Sequence, residues 1–154
     1  MILQIVLAFI GTMGFSIIFN VPKKELLLCG IAGAAGWAVY RLIFDISPDL
    51  VVAAIFFGAI TVTCISRVLS FARKMPVTVY MIPGIIPLVP GAGIYYTMFN
   101  AVMGENTRAL MLGIETLRNA GVIAVGLLIT LSLPPKLFAF ILHLYKKKSK
   151  EENL

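Results

Sequence analysis

An all-α integral membrane protein with about five transmembrane helices, the fourth broken by a Pro/Gly motif, is the fold class that three observations predict. The 154-residue chain is 60% hydrophobic and only 13% charged, against roughly 25% charged residues in soluble domains, and its mean hydropathy is +0.98. Apolar runs long enough for a span of about 20 residues alternate with short polar connections. One such run, PVTVYMIPGIIPLVPGAGIYYTMFNAVMG at residues 76–104, carries Pro83, Gly84, Pro87, Pro90, Gly91 and Gly93 in its middle. Each interior proline removes a backbone donor and clashes with the preceding turn, at roughly 3 kcal/mol in an ordinary helix.

The first span is predicted over residues 2–19, stopped by Asn20, Pro22, Lys23 and Lys24, with Gly11 and Gly14 allowing close helix contact. Its sequence lacks the basic region and cleavage site of a secretory signal, so it reads as an uncleaved span. Span two, residues 26–44, pairs Gly30 with Ala34 and Ala32 with Gly36, the small-xxx-small spacing that wants another helix against it. Span three, residues 50–71, has Ala54 with Gly58 and ends near Arg67, Arg73 and Lys74; Arg67 is expected to snorkel to the interface. The broken segment, residues 77–103, is predicted as one crossing made of half-helices at 77–82 and 92–103, with a re-entrant loop as the other arrangement. Asn106 or Thr107 is placed to cap span five, residues 109–133. These spans make residues 1–134 the membrane domain, and 135–154 a short interfacial segment with a basic tail.

Charge sets the expected orientation. Five spans put Lys23, Lys24, Arg67, Arg73, Lys74, Lys136, Lys146, Lys147, Lys148 and Lys150 on one side and only Arg41 and Arg108 on the other. That bias places the N-terminus outside and the C-terminus in the cytoplasm. It also accounts for the net charge of +6 without nucleic acid as a partner. Cys29 and Cys64 lie in apolar runs and are expected as buried thiols.

Irregular backbone inside a bilayer survives only against protein or a water-filled cavity, and broken helices carry the substrate sites of many transporters. The break therefore has two readings, an unwound backbone presented to a small polar solute or a kink that only packs. Tyr96, Thr97, Asn100 and Gly104 share a helical face by their spacing, and either line a path or bond between helices. Glu115, Arg118 and Asn119 fall within one turn of span five, as a gate, a charged-solute contact or a structural pair. His143 is the only histidine, and no nucleophile elbow, Walker lysine motif or CxxC occurs. No enzyme activity, metal or cofactor is expected, and with no room for a soluble module any energy comes from a gradient or a partner.

At GFSIIFNVPKKEL and IPGIIPLVPGAGIYYTM the chain resembles the threonine/serine exporter family, in particular the small integral-membrane subunit of its split, two-component form. The matching positions are Gly14, Phe15, Phe19, Asn20, Val21 and Pro22, then Pro83, Gly84, Pro87, Pro90, Gly91 and Tyr95. The resemblance implies a secondary exporter in the bacterial inner membrane, driven by the proton gradient and working with a larger membrane subunit. It implies small hydrophilic substrates, threonine and serine in some members and dicarboxylates such as succinate in others. The path is then expected to be shaped by Pro83, Gly84, Pro87, Pro90 and Gly91 and lined by Tyr95, Tyr96, Thr97 and Asn100. The other reading is a non-transporting membrane scaffold or assembly subunit, whose small-residue faces serve only to dock the partner. A topology reporter fused after Leu154 is expected to read cytoplasmic; a reporter active outside the membrane would contradict the layout.

Overall fold

The computed structural model describes residues 1–134, which form helices with no strand among them: α1 Ile2–Ile18, α2 Leu26–Ile46, α3 Val51–Arg73, α4 Thr78–Ile85, α5 Gly91–Val102 and α6 Asn106–Ser132. The expected interfacial segment and tail at 135–154 lie outside the described residues. Three helices, α2, α3 and α6, are long and apolar enough to cross a membrane, and α4 with α5 makes a fourth crossing bent by 52°. At 17 residues, α1 reaches about 26 Å, just short of the roughly 30 Å hydrocarbon core. The count of five is therefore approximate.

Several ends follow from local chemistry. Asn20 and Lys74 adopt the left-handed conformation with φ of 55°, and the amide one residue on reaches back five residues, Val21 N to Ser16 O at 3.0 Å and Met75 N to Ser70 O at 3.2 Å. Gly104, at φ 80°, closes α5 in the same way, with Glu105 N donating to Asn100 O at 2.9 Å. This is the helix-ending motif that glycine and asparagine favour. Neither Asn106 nor Thr107 caps α6. The helix starts at Asn106 with no side-chain cap, so that expectation is corrected.

α2 is the centre of the bundle because its small residues let three helices approach. A Cβ on Gly30 would lie 2.8 Å from Phe9 of α1, one on Gly36 would lie 2.2 Å from Val62 Cγ2 of α3, and Ala32 packs near Gly84 of α4. Gly11 and Gly14, expected as contact glycines, instead face open space. Thr12 and Ser16 of α1 are fully buried, their hydroxyls donating back to Ala8 O and Thr12 O at 2.7 Å.

α3 and α6 run parallel. Gly126 packs on Ala59 and Phe56, and Arg67 donates to the carbonyls of Thr130 (2.6 Å), Leu131 (3.1 Å) and Leu133 (2.8 Å). Arg67 thus does not snorkel: it is 7% exposed and neutralises the open carbonyls and negative dipole at the end of α6. Since α3 and α6 point the same way, α4 and α5 between them carry the chain from the basic end of the bundle to the opposite end. A re-entrant hairpin would return it to where it began.

Replacing Gly36 by Ala should lower stability by about 1–3 kcal/mol through overpacking, whereas Gly11→Ala should change it by under about 0.5 kcal/mol. Thermal midpoints in one detergent would check the contrast, and equal midpoints would contradict this packing.

Candidate functional site

The break in the fourth crossing sits later than the prolines suggest. α4 continues through Pro83 and Gly84 to Ile85, followed by a tight 3-10 turn at Ile86–Leu88, extended Val89 and then α5. Pro83 has no N–H for the carbonyl four residues back, Val79 O. That oxygen instead accepts the thiol of Cys29 at 3.4 Å. The partner is supplied by α2, so the proline stays helical and fully buried. Gly84 lets α4 lie close to both long helices: a Cβ there would come within 2.9 Å of Val62 Cγ1 and 3.6 Å of the Ala32 Cβ.

Where the helix finally opens, its residues face two different spaces. Ile86 and Pro87 line a cavity of about 410 Å³ with Gln4, Leu7 and Gly11 of α1 and Trp37 of α2. The Trp37 Nε1 has no hydrogen-bond partner among the described residues. Pro90 lines a second cavity of about 330 Å³ between α5 and α6, with Thr97, Gly113 and Thr116. Gly91 is exposed, with open space where a Cβ would stand.

The residues expected to line one path are divided by the fold. Thr97 donates to Gly93 O and Asn100 to Tyr96 O, both at 2.7 Å, so each meets its polar demand within α5 on the face toward α6. Tyr95 and Tyr96 are exposed on α5, packed edge-on at 5.2 Å with Tyr95 stacked on Phe99 at 6.2 Å. Glu115 and Arg118 form an exposed pair at 3.7 Å. Arg118 also borders, with Asp49, a groove of about 640 Å³ between α3 and α6, and Asn119 Oδ1 is buried without a partner among the described residues.

The two stretches that carry the resemblance meet in space. Phe19, Asn20, Val21 and Pro22 line one small cavity with Thr78, Val79, Ile82 and Pro83. The family model for the threonine/serine exporter, ThrE, matches residues 4–133. The chain belongs to the ThrE family. An uncharacterized protein of Haemophilus influenzae is 29% identical over 135 residues, covering 85% of this chain and 45% of that protein. The chain thus spans less than half the length of that curated relative. No solved structure matches.

ThrE membership makes the chain a member of an exporter family, not of an enzyme family. In this ThrE chain the structure adds residues that sequence reasoning passed over. Glu25 follows two lysines directly before α2, and its side chain is 2% exposed. Arg73 donates to it through Nη2 at 2.8 Å and through Nε at 3.2 Å to both oxygens, and Tyr80 Oη donates at 2.8 Å. The signal available in sequence was the acid itself: a carboxylate directly preceding an apolar span needs a partner. Gln4 and Trp37 were missed because their neighbour across the cavity, Pro87, is distant in sequence.

Proposed function

We propose that this chain is the membrane subunit of a two-component secondary exporter of small hydrophilic metabolites, with threonine/serine-type amino acids as substrates. The observation that carries the reading is the cavity at the break. A half-helix ends midway through the bundle, level with Trp37 and Gly58, beside a space bordered by Gln4 and Trp37. Intramembrane polar groups and irregular backbone are tolerated where they line such a cavity, and broken helices near the midplane are where secondary transporters bind solute. Pro83, Gly84, Pro87 and Pro90 shape this break in the proposal. Ile86, Pro87, Gln4 and Trp37 line the path on this chain. Gly91, Tyr95, Tyr96, Thr97 and Asn100 belong to its α5 side.

The partner is proposed as a larger membrane subunit of the same family. Two facts support it: the chain covers 45% of its relative, and α5 packs almost wholly on α6, leaving Ile94, Tyr95, Met98 and Phe99 uncovered. A five-span half pairs with a homologous half by inversion, which brings a second broken helix to the midplane. The positive-inside bias supports a bacterial inner-membrane location with the N-terminus outside and the C-terminus in the cytoplasm.

Efflux of labelled serine, threonine and succinate from exporter-deficient cells carrying this chain, its partner or both tests the proposal. Serine and threonine efflux is expected only with both chains, and Gln4→Leu should reduce it about tenfold, the worth of one polar contact to a charged solute, at unchanged membrane level. Efflux by this chain alone would overturn the two-component reading. Succinate as the sole solute would make it a dicarboxylate exporter, and wild-type efflux from the Gln4 variant would remove the cavity from the path.

A further inference from the structure

The Glu25, Arg73 and Tyr80 cluster joins three elements at the basic end of the bundle. Glu25 stands immediately before α2, Arg73 is the last residue of α3, and Tyr80 lies in the first turn of α4. The carboxylate accepts from all three donor atoms, Arg73 Nε and Nη2 and Tyr80 Oη, and Tyr80 is wholly buried. Glu25 is also the sole described acidic residue at an end that carries Lys23, Lys24, Arg67, Arg73 and Lys74; Asp45, Asp49, Glu105 and Glu115 lie toward the other end. Without its charge, Arg73 and Lys24 would face Tyr80 with nothing to hold them there.

With its 3-10 continuation α4 is one continuous rod over Thr78–Leu88, set between two non-helical joints: left-handed Lys74 with Met75 before it, and extended Val89 with Pro90 after it. Glu25 grips one end through Tyr80. The other end carries Ile86 and Pro87 into the cavity. Between them α4 covers Cys29, which is fully buried and bonded to Val79 O.

We propose that Glu25 is a positioning residue of the export cycle: through Tyr80 it latches the half-helix α4 onto α2 and α3, and releasing that latch is what moves the break. The role in export rests on the exporter reading above. The latch itself rests on geometry alone and is testable without transport.

Two native thiols provide the test. Cys29 lies beneath α4 and is fully buried, whereas Cys64 of α3 is already part-exposed, so opening of the half-helix uncovers the first and leaves the second as it was. The full chain in native membranes is treated with N-ethylmaleimide, and alkylation of each cysteine is followed by peptide-resolved mass spectrometry. Glu25→Gln, which keeps the shape and loses the charge, should raise the initial rate at Cys29 about tenfold, and Tyr80→Phe, which loses one hydroxyl, about threefold. The rate at Cys64 should stay at the wild-type value in both. Wild-type rates at Cys29 in these variants would overturn the latch. So would a parallel rise at both cysteines, the mark of general loosening. If Glu25→Gln does not accumulate in membranes, Tyr80→Phe decides alone. A loss of efflux with unchanged Cys29 labelling would count against the latch while leaving the exporter reading intact.

Discussion

A helix that stops in the middle of a bilayer leaves backbone carbonyls and amides with no water to meet them, each at a cost of several kcal/mol if unpaired. That constraint organises this chain. Ile86 N reaches back to Pro83 O and Val89 N to Ile86 O within the tight turn. The carbonyl that Pro83 orphans is taken by Cys29 from another helix. Such a contact requires α2 to come close, and α2 can do so because Gly33, Gly36, Gly58 and Gly84 leave room where side chains would collide. The small-residue pattern of the long helices and the breaker pattern of the fourth are therefore one solution in two parts. Leu88 completes it, seated in the core with Ile55, Ala59, Val62 and Ile123.

The buried charges follow the same logic. An arginine inside a span is costly unless its donors are used, and Arg67 uses them on the terminal carbonyls of α6, binding the parallel pair α3 and α6 at the basic end. Glu25 would be costlier still without Arg73 and Tyr80, and with them it ties the same end of α2, α3 and α4. One end of the bundle is thus fastened by polar contacts between helices, while the opposite half of the broken crossing rests on a single neighbour, α6. A unit fastened at one end and open at the other suits the two-component arrangement proposed above.

Much of this was legible before any coordinates. Helix positions followed from hydropathy to within a few residues, because length and composition suffice when every span is apolar. The location of the break was legible only to within a turn. Prolines mark where helix is costly, but the carbonyl that Pro83 leaves open, Val79 O, is met by a thiol 50 residues from it in sequence, which no local rule contains. Side-chain roles were least legible. Thr97 and Asn100 look like pore-lining groups by spacing, yet each bonds to the carbonyl four residues back, a choice open to any Thr or Asn in a helix. Arg67 looked like a boundary charge and Glu25 drew no reading, because their partners, Thr130 to Leu133 and Arg73 with Tyr80, come from helices whose packing the sequence does not state.

The central claim is that the broken crossing opens onto a water-filled cavity and is not merely kinked in a dry core. Its most direct measurement is the reaction of Ile86→Cys, Pro87→Cys and, as a core control, Ile123→Cys with a membrane-impermeant thiol reagent. The account predicts reaction at 86 and 87, slowed by added exported solute, and none at 123. Cysteines at 86 and 87 as inert as that at 123 would contradict it.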